Sequence, residues 1–226
     1  ENTVAASRDY EVIVIGAGVA GIYQIKRLAD LGVKATVLEA NGDLGGTWYN
    51  NRYPGARFDS ESFTYGYSFS KELLDEWHWS EQYSPQPETL RYLNYVTEKF
   101  GLREYMQFGC RVSAMVFNEN TDTWTVSLED GRELTTHFVI TAVGILSTPT
   151  LPKFEGMDSF KGTAFHPFYW PHEPFDLTGK RVAVIGTGAT AIQFIPEIAK
   201  IASDLTVFQR RPNWAAPLNN GPISGE

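Results

Sequence analysis

Short, mainly apolar runs alternate along the chain with glycine-rich turns and amphipathic stretches, a rhythm that predicts alternating strands and helices. Tyr10-Glu11-Val12-Ile13-Val14-Ile15 is rich in β-branched residues and lacks polar alternation, as in a strand buried on both faces of a parallel sheet. Gly16-Ala17-Gly18-Val19-Ala20-Gly21 follows at once, then a helical stretch to about Leu31, which Gly32 ends. Residues 33–39 predict a second strand closing on an acid, Glu39. The pattern returns late in the chain. Residues 180–185 read as a buried strand, Gly186-Thr187-Gly188-Ala189-Thr190-Ala191 as its turn, residues 192–201 as a helix bent by Pro196, and residues 205–209 as a strand leading into Arg210-Arg211.

Between these units the pattern changes. Residues 45–59 are dense in Gly, Pro, Asn and aromatics and predict a loop. Residues 72–79 predict a surface helix followed by a loop. Leu90, Leu93, Val96 and Phe100 recur at helical spacing and predict a core-facing helix over 88–100, stopped by Gly101. Residues 106–117, 123–128 and about 133–138 read as a small antiparallel insert, with residues 138–144 as a separate strand returning to the first sheet. The fold class expected is therefore α/β: two Rossmann-like dinucleotide-binding domains, the first carrying the β insert and both incomplete. The domains expected are 1–147, an interdomain linker over 148–179, and 180–226.

The 226 residues carry 27 acidic and 19 basic side chains, a net charge of −8 that argues against nucleic-acid or anionic-membrane partners. Cys110 is the only cysteine, which fits a reducing compartment and excludes a redox cysteine pair. No apolar run approaches the roughly 18 residues needed to span a membrane. With a polar opening segment, these features lead us to expect a cytoplasmic protein. The four histidines, His78, His137, His166 and His172, lack metal-ligand spacing, so no metal is expected.

The chemistry lies in the turns. Gly16 permits a tight turn, Gly18 lets backbone approach a pyrophosphate, and Gly21 lets the helix pack on its strand. The helix N-terminus offers free N–H groups to phosphates. Glu39 lies 21 residues after Gly18, where a carboxylate accepts hydrogen bonds from a ribose diol and repels a 2′-phosphate, so this unit suits FAD or NAD. Arg210 lies 22 residues after Gly188, the counterpart of Glu39, and a guanidinium there holds a 2′-phosphate. The second unit, with Arg211 beside Arg210, therefore suits NADP(H). In the aromatic loop, Gly45 and Gly46 can bring backbone N–H groups against a ring or phosphate. Trp48, Tyr53 and Tyr65 offer stacking faces or core packing. Asp59 is an acid in an aromatic setting, with a raised pKa or a cationic partner expected.

These motifs together resemble the Baeyer–Villiger monooxygenases. Gly45-Gly46-Thr47-Trp48 followed by Tyr53-Pro54-Gly55 and Asp59 is similar to that family's second signature. Phe160-x-Gly162-x-x-x-His166-x-x-x-Trp170-Pro171 is similar to its main fingerprint. The resemblance implies FAD and NADP(H) as cofactors and a reaction in which a ketone and O₂ give an ester or lactone. It implies FAD contacts from Gly46, Thr47, Trp48, Arg57, Asp59 and Tyr65, and an adenine contact from the Val112 backbone. It also implies coupling roles for Asp59, His166 and Trp170, with the His-bearing strap, extended between its prolines, shifting as the NADP domain turns. Family members are more than twice this long, so the sequence is expected to be an N-terminal portion, inactive alone, whose partner is the rest of the same enzyme. A family arginine beside the flavin has no counterpart in these residues. A nitrogen- or sulfur-oxidising flavin monooxygenase and a non-catalytic FAD/NADP-binding module are the competing readings. The Trp170-Pro171 ending favours the ketone.

Overall fold

A computed structural model describes residues 8–224. In chain order the elements are β1 (Tyr10–Ile15), α1 (Val19–Asp30), β2 (Ala35–Leu38), α2 (Thr47–Asn50), α3 (Ser62–Tyr65), α4 (Lys71–Glu76), α5 (Gln86–Lys99), β3 (Met106–Gln107), β4 (Val112–Asn118), β5 (Thr123–Leu128), β6 (Glu133–Thr141), β7 (Arg181–Ile185), α6 (Ala189–Ala199) and β8 (Asp204–Phe208). The chain divides into two compact units, residues 1–49 with 91–148, and residues 50–90 with 149–226.

The first unit is built on a six-stranded sheet in the order β3-β2-β1-β6-β5-β4. β1 lies at its centre, parallel to β2 and β6, with Ile13 and Val14 fully buried. That burial on both faces is why the run carries no polar alternation. Ile22 and Ile25 of α1 are also fully buried, each such side chain contributing roughly 1.5–3 kcal/mol.

The structure corrects the insert. Residues 106–117 do not form one strand. Gly109, at φ +66°, breaks them into β3, which pairs in parallel with β2, and β4, which pairs antiparallel with β5. The third insert strand and the returning strand are one continuous element, β6. Its first half pairs antiparallel with β5 and its second half in parallel with β1, and Thr136 is the changeover, opposite both Trp124 and Tyr10. The insert is thus an extension of the central sheet.

The second unit holds the parallel pair β7–β8, with α6 packed on it. Its core gathers Tyr53, Ala56, Leu177, Val184, Ala191, Phe194 and Ile198, with Trp170 and Phe175 against them. Other sequence-based boundaries shift here. The loop expected over 45–59 contains the single-turn α2. The helix expected from residue 88 begins at Gln86, which leaves Pro87 in a first turn where its missing N–H costs nothing. α6 begins at Ala189, so Thr190 and Ala191 belong to the helix, and it continues across Pro196. The extended strap contains a 3₁₀ turn, Pro167–Tyr169, because Pro167 sits at its first position and His166 caps it.

Candidate functional site

The first glycine turn is held by its own neighbours. Gly16 takes φ +103°, and an added Cβ would lie 2.6 Å from the Ala142 carbonyl oxygen. At Gly21 a Cβ would lie 1.8 Å from the Gly16 oxygen, so α1 can approach β1 this closely only with glycine there. Glu39 is 4% exposed and braces the turn: Ala17 N–H donates to its Oε2 at 2.7 Å, and the Asn41 N–H and Nδ2 both donate to Oε1 at 2.8 Å. A carboxylate has about four lone-pair positions, so one remains on Oε2 to accept a hydroxyl.

The signature glycines close on the same turn. Gly45 N–H donates to Ala17 O at 2.9 Å, and a Cβ on Gly46 (φ +54°) would lie 2.9 Å from Gly18 Cα. Two motifs nearly thirty residues apart in sequence therefore form one backbone cradle without side chains. Thr47 is exposed at the start of α2 and Trp48 is buried. Val112, half-buried, opens β4 and packs beside Ile13, Leu38 and Cys110. Its loop is tied to the acid by Cys110 N–H donating to Glu39 O at 2.8 Å. Gly18 caps α1 with extended backbone and no side-chain hydrogen bond, and no acid lies in the first turn to compete with an anion for its N–H groups.

The second turn is built on the same plan. Gly186 takes φ +104°, Gly188 caps α6 with extended backbone, and the first turn again lacks an acid. Gly186 N–H donates to Phe208 O at 2.8 Å, bringing the end of β8 beside the turn. Arg210 and Arg211 follow directly, exposed, and among the described residues neither makes an ion pair or hydrogen bond. Gln209 Nε2 donates to Thr187 Oγ1 at 3.2 Å and Asn213 Nδ2 to Thr187 O at 2.7 Å. No residue-level signal marked either amide in the sequence. Ala189 is exposed, Thr190 half-buried and Ala191 buried.

Elsewhere in the second unit, the Tyr-Pro-Gly signature docks onto α6. Tyr53 is 9% exposed, meets Phe194 edge-on at 6.0 Å, and donates its hydroxyl to Gln193 Oε1 at 2.9 Å. Burial, partly offset by a hydrogen bond from Thr190, raises its pKa. Tyr53 therefore packs in a core rather than offering a stacking face. Gln193 also accepts from Arg57 N–H at 3.4 Å and donates to Arg57 O at 2.9 Å. A Cβ on Gly55 would lie 2.5 Å from Gln193 O. The clue to Gln193 in the sequence is an amide set between the apolar Ile192 and Phe194.

Arg57 donates to Glu81 Oε2 at 2.7 Å and Tyr83 O at 3.0 Å, and that guanidinium holds the Glu81 carboxyl below its usual range. Asn220 Nδ2 also donates to Glu81. Tyr65 stacks on Phe58 at 4.4 Å. Asp59, expected among aromatics with a cationic partner, is exposed, and among the described residues it has no hydrogen-bond or ion-pair partner; Phe58 beside it also meets Trp79 edge-on at 5.9 Å. His166 Nδ1 accepts from Phe168 N–H at 3.2 Å, which assigns the proton of a neutral ring to Nε2. Trp170 meets Phe165 at 5.2 Å and Phe194 at 6.1 Å, packed on the α6 core.

The structure holds a strand–turn–helix with a buried acid, a second with an exposed arginine pair, and a glycine-pair cradle on the first, and residues 9–218 match the flavin-binding monooxygenase-like family. The chain belongs to this family. It is 43% identical over 223 residues to a Baeyer-Villiger monooxygenase of Pseudooceanicola batsensis, covering 98% of the chain and 41% of that protein. It is 42% identical over 216 residues to the phenazine N-monooxygenase PhzNO1 of Lysobacter antibioticus, covering 95% of the chain and 40% of that protein. Among solved structures, OTEMO in complex with FAD and NADP superposes with a TM-score of 0.91 at 48% identity, covering 96% of the chain and 42% of the other. The flavin-monooxygenase chain thus spans about two fifths of the length of these relatives. Among its described residues, no helix is long and apolar enough to cross a membrane.

Proposed function

We propose that this chain is the dinucleotide-binding portion of an FAD- and NADPH-dependent Baeyer–Villiger monooxygenase, which converts a ketone and O₂ to an ester or lactone and water. The observation that carries the reading is the opposite charge after two otherwise matching turns: Glu39 braced and buried after β2, Arg210 and Arg211 unpaired after β8. When bound, FAD supplies hydride acceptance from NADPH and O₂ activation.

The chain's own residues bind and orient. In the cradle of Gly16, Gly18, Gly21 and Gly46 a Cβ on Gly16, Gly21 or Gly46 would strike neighbouring backbone, so the turn that would hold a pyrophosphate closes only with glycine there, and Glu39 keeps a lone pair for a ribose hydroxyl. Thr47, Trp48 and the Val112 backbone flank that cradle in the same unit. Thr187, Gly188, Ala189, Thr190 and Ala191 offer N–H groups to the second pyrophosphate around the turn that Gly186 forms, and Arg210 and Arg211 take the 2′-phosphate. Arg57, tied to Glu81 and Gln193, shapes its loop rather than standing free as a ligand. Asp59, exposed here, would meet its cationic partner in the remainder of the enzyme. His166 and Trp170 fix the strap.

A phenazine N-oxidising relative at similar identity makes nitrogen oxidation the competing reading. The complete protein is to be assayed with NADPH, O₂ and either a cyclic ketone or an aromatic amine. Ester or lactone formation with NADPH consumption supports the proposal. N-oxide formation with an untouched ketone would replace it.

A further inference from the structure

The two ties on Thr187 do more than decorate a turn. Gln209 and Asn213 stand immediately on either side of the stretch Arg210-Arg211-Pro212, and both side-chain amides reach back to the same residue, Thr187. Only Asn213 Nδ2 can donate to a carbonyl, so the orientation of that amide is fixed by its contact. An added Cβ on Gly188 would lie 3.8 Å from the same nitrogen, so Asn213 rests over the glycine that must stay open to a phosphate. Gln209 donates to the Thr187 oxygen, which leaves the hydroxyl proton of Thr187 free to donate elsewhere. With Gly186 N–H on Phe208 O, the loop is held to the turn at Phe208 and Gln209 before the arginines and at Asn213 after them.

From this geometry we infer that Gln209 and Asn213 are positioning residues that set nucleotide specificity: they pin both ends of the loop displaying Arg210 and Arg211, so that two unpaired guanidiniums face a 2′-phosphate in one arrangement. The inference rests on the NADPH reading above. A loop freed at either end retains the arginines but must order them on binding. The loss falls on a ligand carrying the 2′-phosphate and spares one without it, because the pyrophosphate contacts come from the turn and the first turn of α6.

The test uses the complete, flavin-loaded enzyme and calorimetric titration with NADP⁺ and with NAD⁺, alongside thermal melting. Asn213→Ala is expected to weaken NADP⁺ by about 5- to 20-fold and NAD⁺ by no more than about twofold, with Gln209→Leu acting in the same sense and less strongly. Loss of affinity for both ligands in equal proportion would show that the amides merely hold the turn together, and unchanged NADP⁺ affinity in both variants would show that they hold nothing of consequence; either result overturns the inference. Arg210→Ala with Arg211→Ala is the control for the underlying reading. If that double variant binds NADP⁺ as well as the wild type, the NADPH assignment itself fails, whatever the amide variants do.

Discussion

The two glycine turns have nearly the same local conformation and very different surroundings. Gly16 and Gly186 take φ of +103° and +104°. Around Gly16 the end of β6 closes in, with Ala142 N–H donating to Ile15 O and its carbonyl 2.6 Å from where a Cβ would stand. Around Gly186 nothing lies within 4 Å of that position. The brace differs as well: a carboxylate 4% exposed in the first unit, two exposed amides in the second. The third glycine shows the consequence. Gly21 has no space for a methyl group, whereas Ala191 carries one and buries it against Tyr53 and Phe194. The same motif is therefore a preformed socket where strands flank it on both sides and an open one where β8 alone does.

This contrast can be broken experimentally, most sharply at the third position. Gly21→Ala should cost at least about 3 kcal/mol and abolish flavin retention, because a Cβ 1.8 Å from backbone forces β1 and α1 apart. The mirror change, Ala191→Gly, should cost only about 0.5–1 kcal/mol. Denaturant melts and bound-flavin absorbance measure both, and equal costs would erase the distinction between the turns.

The braces come next. Glu39→Leu strands three donors near a buried position and should cost roughly 2–3 kcal/mol. Asn213→Ala, exposed, should change stability by no more than about 0.5 kcal/mol. Between them, Gln193→Leu removes the clamp on Tyr53 and Arg57 and should cost roughly 1–2 kcal/mol, visible as faster amide exchange over residues 53–57.

A comparably small effect is a pH dependence in the second unit. The hydrogen bond from Arg57 lowers the Glu81 pKa in the folded state. The tie is therefore fully stabilising above the unfolded value of about 4.3 and is lost as pH falls through the lower folded value. Its contribution is roughly 0.2–1 kcal/mol. Amide protection factors, taken against the intrinsic exchange rate at each pH, should fall over residues 80–83 and 219–223 on acidification, and Glu81→Gln should remove that acid dependence.

Much of this architecture is legible in particular residues. β1 matches its apolar run end for end, because a strand buried on both faces has one solution for its side chains. Gly32 ends α1 by turning into the left-handed region at φ +66°. The insert was misread because periodicity shows that residues 133–138 and 138–144 are extended but not that they are one strand changing partners at Thr136. The sequence left Tyr53 between stacking face and core packing because an aromatic beside glycines looks the same whether it meets a ligand or a helix. Its hydrogen-bond partner, Gln193, which also ties Arg57, is 136 residues from Arg57 along the chain.

What the sequence alone determined is local: the strands, the turns that only glycine permits, the acid after one unit and the arginines after the other, since these follow from backbone sterics and charge within about twenty residues. Tertiary structure decided which motifs meet. It pressed Gly46 onto Gly18, set Gln193 under the Tyr-Pro-Gly loop, and pinned Arg210 and Arg211 between two amides on Thr187. Those contacts depend on hydrogen-bond direction and packing between segments far apart in the chain, which no spacing along it encodes.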